Sequence, residues 1–132
     1  MFHSLRRRVR MFLALCGVLA LGSLAMAAPA FADSSLTWYK FYPDRYAHAS
    51  FTSYGEVFKV SDDEPDGYSV RVFWSYRGSS TVQGFCTNSS GNGTTKTCNF
   101  SIAEGRKINW CLERYDFSKG IEYTFKCKDD VA

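Results

Sequence analysis

Residues 68–76, with the sequence YSVRVFWSY, decide the fold class of this 132-residue chain. Apolar side chains recur at every second position from Tyr68 to Tyr76, and the positions between them include Arg71 and two serines. Because successive side chains of a strand point to opposite faces, this pattern predicts a β-strand with one strongly apolar face. The preceding Pro-Asp-Gly at residues 65–67 predicts a turn, since proline presets φ and glycine permits a positive φ.

The rest of the chain after residue 54 repeats this layout. Short runs of β-branched and aromatic residues are separated by Gly, Asn, Asp and Ser, and no helical periodicity or internal repeat interrupts them. The predicted strands cover residues 55–60, 68–76, 81–88, 94–102, 106–115 and 121–128. We therefore expect an all-β domain of about six antiparallel strands in a meander, folded as a small sandwich or a partly closed barrel.

The first 32 residues have the layout of a secretory signal peptide. Four arginines between residues 6 and 10 are followed by an apolar run over residues 11–27 and by a small-x-small motif that ends at Ala32. The apolar run is shorter than the roughly 20 residues that span a bilayer. We expect cleavage after Ala32, or else after residue 28 or 30, and hence a secreted, extracellular protein without stable membrane association.

Cleavage after residue 32 leaves 100 residues, the length of a single domain. We divide them into an aromatic-rich N-terminal segment at residues 33–48 and a disulfide-stapled β domain at residues 49–132. Loss of the four arginines leaves 12 basic and 13 acidic residues. This near balance gives no indication of a nucleic-acid-binding surface.

Four cysteines in an exported chain of this size predict two disulfides. The first two lie symmetrically about Asn92 and the last two about Lys119, so opposed positions in antiparallel hairpins would bring each pair together. Alternation along the strands places the third and fourth cysteines on opposite faces, which a β-bulge or an edge position would reconcile. The predicted pairs are Cys86–Cys98 and Cys111–Cys127.

Motifs for metal binding and catalysis are weak. No cysteine spacing matches a C-x-x-C site, so we expect no metal and no cofactor. Residues 62–67 begin like a calcium loop, but the twelfth position of that loop is Phe73, and we interpret the stretch as a solvated turn. His48, the only histidine after the signal peptide, could act with Glu56 or Glu104 in a nuclease-like set. No local motif supports that set, and we predict that the protein is not an enzyme.

Aromatic residues are dense at residues 36–43, LTWYKFYP. Trp38, Tyr39, Phe41 and Tyr42 are candidates for a binding surface, because aromatic rings stack on sugars and anchor protein contacts. The alternative is that these rings cover one end of the sandwich. A 100-residue domain with 19 aromatic residues needs them as core.

Residues 49–60 (ASFTSYGEVFKV) and 101–107 (SIAEGRK), together with the Asp-Gly turn at residues 66–67, resemble a group of small secreted actinobacterial proteins. The resemblance covers roughly residues 49–127. It implies a bacterial source and an extracellular location but no particular activity. Members of this group commonly carry an additional cysteine after the first strand, where this chain has Ser61.

Taken together, the residues predict a small secreted, non-enzymatic binding protein. Its expected partner is an extracellular protein or a glycan, and an inhibitor or antagonist would suit a rigid disulfide scaffold with aromatic loops. One alternative is a carbohydrate-binding module in which Trp38 and Tyr39 stack on sugar rings. The other is a small nuclease-like hydrolase that uses His48.

Overall fold

The computed structural model describes residues 33–41 and 44–132, and none of these residues forms a helix. The predicted signal peptide and Tyr42 lie outside the described residues. The strands are β1 (Asp33–Phe41), β2 (Asp44–Thr52), β3 (Val57–Asp62), β4 (Ser69–Tyr76), β5 (Val82–Asn88), β6 (Thr95–Asn99), β7 (Lys107–Asp116) and β8 (Ile121–Val131). In the described part of the chain, no helix could cross a membrane. The all-β prediction is confirmed.

The strands form two antiparallel four-stranded sheets that pack as an open sandwich. Sheet 1 has the order β1-β2-β3-β6, and sheet 2 has the order β5-β4-β7-β8. The sandwich prediction is confirmed, whereas the described residues contain eight strands rather than about six. The path is also not a simple meander, because the chain crosses between the sheets after β3, β5 and β6.

The two additional strands are β1 and β2, which pair as a hairpin in sheet 1. The boundary between residues 48 and 49 falls inside β2, so the aromatic-rich segment and the domain that follows it share this sheet. The inward positions of β2 include Ala47 and Ala49, which are fully buried. Alanine has a weak strand propensity, and this explains why the alternation here gave no strand signal.

The Cys86–Cys98 disulfide is confirmed, but the hairpin from which it was predicted does not exist. β5 pairs with β4 and β6 pairs with β3, so the two cysteines belong to different sheets. Residues 89–94 cross from one sheet to the other instead of forming a hairpin turn. The bond therefore closes the sandwich across its interior.

The Cys111–Cys127 disulfide is confirmed for the predicted reason. The two cysteines are directly opposed in the β7–β8 ladder. The register shifts between Leu112 and Glu113, which leaves residue 125 without an opposed partner. This irregularity reverses the alternation of β8, so Cys127 shares the face of Cys111, as the expected bulge requires.

The core lies between the two sheets and is built around aromatic rings. Phe58 is fully buried and packs against Phe51 at 4.6 Å and Trp110 at 5.5 Å between ring centroids. Packing explains why residue 84 is a glycine, since a Cβ at this position would lie 2.6 Å from the Phe100 ring. The interior is therefore packed so closely that one added methyl group at this position would clash with its neighbours.

Candidate functional site

One end of the sandwich, which we call the aromatic pole, contains the end of β1 and the start of β2 together with three connections. The connections are the loops over residues 62–68 and 89–94 and the β7–β8 turn. Nine large apolar side chains of the described residues are exposed, and five of them lie at this pole. The five are Tyr39, Phe41, Phe117, Ile121 and Tyr123. This concentration makes the pole the candidate binding surface.

Arg114 forms the base of the pole. Its guanidinium carbon lies 4.2 Å from the ring centroid of Tyr46, 4.4 Å from that of Tyr68 and 5.6 Å from that of Trp38. Its terminal nitrogen forms an ion pair with Asp66. The side chain of Arg114 is only 14% exposed, and contacts of a cation with aromatic faces strengthen when water is excluded. Arg114 thereby joins β7 to β1, β2 and the 62–68 loop.

Further ion pairs hold the loop over residues 62–68, which we call the acidic loop, against the β1–β2 hairpin. Lys40 Nζ lies 2.8 Å from Glu64 Oε1, and Arg45 lies 3.5 Å from Asp63. His48 Nδ1 lies 2.6 Å from the other carboxylate oxygen of Asp63. The loop is thus held by its neighbours rather than solvated alone. Among the described residues, no three His, Cys, Asp or Glu side chains are grouped as metal ligands.

Asp62 holds the first residue of the acidic loop in place. It is 2% exposed, its carboxylate accepts a hydrogen bond from the Glu64 backbone N–H at 3.1 Å, and its backbone pairs with Gly93 and Thr94. Burial raises the pKa of the Asp62 carboxyl, and the nearby carboxylates of Asp66 and Asp63 add to this effect. Burial therefore favours the neutral form of this carboxyl group compared with an exposed aspartate.

The structure separates the four aromatic residues of the predicted surface. Trp38 packs against the core and meets Tyr46 edge to face at 5.7 Å. Tyr39 and Phe41 are exposed, by 47% and 73%. Tyr42 lies outside the described residues. One ring of the set therefore supports the pole, and two form part of its surface.

Sequence reasoning missed the half of the pole that comes from the β7–β8 hairpin. Phe117 packs edge to face on Tyr115 at 4.5 Å, and Tyr123 packs in the same way on Tyr68 at 5.8 Å. The sequence does contain a sign of this surface. Residues 115–123 (YDFSKGIEY) place apolar side chains beside a predicted turn, where they cannot be buried in the core. Only the fold shows that this hairpin lies beside β1 and β2, to which Arg114 joins it.

His48 has a different partner from those predicted. Its ion pair with Asp63 replaces the expected contact with Glu56 or Glu104, which lie in turns at the opposite end of the sandwich. Ser61 is directly opposed to His48 in the β2–β3 ladder, but its hydroxyl is hydrogen-bonded to a threonine of β6 at 2.7 Å. The ring of His48 is therefore placed to stabilise the acidic loop.

A second arginine is held in a similar way on the outer face of sheet 2. The guanidinium of Arg71 lies 4.6 Å from the ring of Phe85 and 4.2 Å from that of Tyr115, and it pairs with Glu113 and, at 3.7 Å, with Glu122. Glu113 is fully buried, and desolvation raises the pKa of its carboxyl. This arrangement covers the sheet without leaving a cleft at Glu113.

A shallow cavity of about 120 Å³ lies at the opposite end of sheet 2. It is lined by Arg77, Lys107, Asp129, Asp130 and Val131. Arg77 and Asp129 neutralise each other at 3.3 Å. The cavity is smaller than the roughly 300 Å³ at which ligand pockets begin, so the pole is the stronger candidate site.

Comparisons with protein-family models, with curated proteins and with solved structures gave no match. The resemblance to small secreted actinobacterial proteins stays a prediction. The chemistry of the site is therefore argued from its own geometry. Exposed aromatic rings on a base of ion pairs are suited to binding a partner.

Proposed function

We propose that this chain is a secreted, non-enzymatic binding protein that uses the aromatic pole to bind an extracellular protein. The observation that carries this proposal is the group of five exposed large apolar side chains at one end of a disulfide-closed sandwich. Aromatic anchors on a rigid base contribute most of the free energy of protein association, since little conformational entropy is lost when they bind.

Charge indicates the kind of partner. Residues 39–48, 62–68 and 114–123 contain seven acidic and four basic residues, so the pole has a net charge of −3. Each of its basic side chains is already in an ion pair: Lys40, Arg45, Arg114 and Lys119. The partner surface should therefore be basic around an apolar patch, and added salt should slow its association.

A protein partner is favoured over a glycan by the position of Trp38. Stacking on sugar requires an open ring face, whereas Trp38 packs against the core and lies beside Arg114. A carbohydrate-binding module would then depend on Tyr39, which is half exposed. Hydrolysis through His48 has less support, because the carboxylates predicted to act with it, Glu56 and Glu104, lie at the opposite end of the sandwich.

The proposal can be tested by photo-crosslinking. A photoreactive phenylalanine is placed at Phe41 or, as a control, at Tyr54, which is 70% exposed in the β2–β3 turn at the other end. Each protein is added to culture filtrate from the native source, and crosslinked proteins are identified by mass spectrometry. We expect a basic protein crosslinked from position 41 and not from position 54.

The identified partner is then titrated by calorimetry. The double variant Phe41→Ala/Phe117→Ala should weaken binding by about 100-fold or more, since central aromatic anchors each contribute about 2 kcal/mol or more. Tyr54→Ala should leave the affinity unchanged. Equal crosslinking from both positions, or unchanged affinity of the double variant, would contradict the proposal, and retention on chitin or cellulose instead would favour the glycan alternative.

A further inference from the structure

The two disulfides differ in their exposure to solvent. Cys86 is fully buried, and its partner Cys98 is half-buried between the sheets. In the second disulfide Cys111 is 3% exposed, whereas Cys127 is exposed. An external thiolate can therefore reach one sulfur atom of the second bond, and the buried sulfur of the first bond is shielded.

The strand that carries Cys127 leaves a path open for such a thiolate. β8 is at the edge of sheet 2, and among the described residues it is hydrogen-bonded as a strand only to β7. Lys126, which is exposed, and Lys128 flank Cys127 in sequence. Alternation along β8 places both lysines on the face opposite to Cys127, so they act on an approaching anionic thiol only through the electrostatic field at this edge strand.

We propose that Cys127 is a site of thiol–disulfide exchange that opens the Cys111–Cys127 bond selectively. The attacking thiolate forms a new S–S bond to Cys127 Sγ, and the bond to Cys111 Sγ breaks. Cys111 leaves as a thiolate and takes a proton from water. A second thiol can then attack the mixed disulfide and release Cys127, so that two thiols are oxidised to one disulfide and the protein gains two electrons.

Contacts other than the Cys111–Cys127 bond also hold β8 to β7 and to β1. β7 and β8 remain paired along their ladder. Trp110 Nε1 donates a hydrogen bond to Asp130 at 2.9 Å, and Asn109 donates one to Asp129 at 2.9 Å. Ser34 of β1 also donates to Asp130. Exchange at Cys127 should therefore modify a folded protein, and the argument for it does not rest on the binding function proposed for the pole.

The proposal is tested on the secreted protein with reduced glutathione as the thiol. Samples are quenched with acid, free thiols are alkylated, and peptides are mapped by mass spectrometry. We expect the glutathione adduct on Cys127 and the alkyl group on Cys111, with the second bond opening at least about tenfold faster than Cys86–Cys98. Far-ultraviolet circular dichroism should be unchanged. An adduct mainly on Cys111, equal opening of both bonds, or loss of the β spectrum would overturn it.

Two variants complete the test. Cys111→Ser/Cys127→Ser should form no adduct and should keep the β spectrum, which shows that the fold tolerates loss of the bond. Lys126→Gln/Lys128→Gln should slow exchange with glutathione more than with the uncharged thiol 2-mercaptoethanol, and Lys59→Gln, an exposed lysine of sheet 1, should slow neither. Equal slowing with both thiols would contradict the charge argument, and adduct formation in the cysteine double variant would remove the assignment of the site.

Discussion

The core of the sandwich and the aromatic pole are both built from aromatic rings, but the rings have different neighbours. In the core, Phe58 is fully buried and packs against three other rings. At the pole, the rings of Tyr46 and Tyr68 pack on the guanidinium of Arg114, and Phe41 extends beyond them into solvent. Exclusion of apolar surface from water stabilises the first region, whereas charge–ring contacts and ion pairs organise the second.

This difference teaches how a small domain can use many aromatic residues for two purposes. Of the 19 rings, four described ones are buried in the core and four others are partly buried and pack against it. The remaining rings can lie at the surface without destabilising the fold, provided that a separate base holds them. Arg114 and the acidic loop form that base. The pole should therefore tolerate changes that the core does not.

The largest expected effect comes from removing a core ring. Phe58→Ala should lower the free energy of unfolding by about 3–5 kcal/mol, because it removes apolar contacts and leaves a cavity among rigid neighbours. Phe41→Ala, which removes the same side chain at the pole, should change it by less than about 0.5 kcal/mol. Urea denaturation, monitored by tryptophan fluorescence, measures the free energy of unfolding of both variants. A similar loss in the two variants would show that the pole belongs to the stabilising core.

A smaller effect is expected at the base of the pole. Arg114→Leu should lower the free energy of unfolding by about 2 kcal/mol, since it leaves the half-buried Asp66 without its cation and removes the contacts with three rings. Arg77→Leu is the matched control, because its ion pair with Asp129 is about half exposed. The control should lose less than about 1 kcal/mol. If both variants unfold at the same urea concentration, the arginine does not organise the pole.

The fold could be predicted from sequence where one strand carries a complete alternation. Residues 68–76 and 121–128 were placed correctly, as β4 and β8 show. The β1–β2 hairpin was missed because buried alanines alternate with polar residues there. The pairing of the strands could not be predicted either, since the loop at residues 89–94 has the sequence pattern of a hairpin turn but crosses between the sheets.

The candidate site could be predicted only in part, for the same physical reason. Tyr39 and Phe41 were identified from the local density of aromatic residues, which a sequence displays directly. Phe117 and Tyr123 join them through the stacking of two sheets, and Arg114 becomes their base only when β7 faces β2. Such contacts depend on long-range strand order, which no local pattern encodes.

The smallest expected effect is a change in the pH dependence of stability at the pole. The pKa of Asp62 is raised in the folded protein by burial, so between its unfolded and folded pKa values the native state binds more protons. This group therefore stabilises the fold at low pH, and the contribution is lost as the pH rises through the folded pKa. Asp62→Asn keeps an oxygen that can accept the Glu64 N–H and removes the titration.

Relative to the wild type, Asp62→Asn should accordingly gain stability as the pH rises above the ordinary pKa of an aspartate, measured as the difference in urea midpoints along a pH series. Asp116 is the matched control at the same pole. Hydrogen bonds from Ser118 lower its pKa, so its contribution is present above the unfolded pKa and is lost as the pH falls. Asp116→Asn should therefore be less stable than the wild type by a constant amount over that range, and the difference should shrink only at lower pH. Parallel pH profiles for the two variants would mean that burial does not set the titration of Asp62.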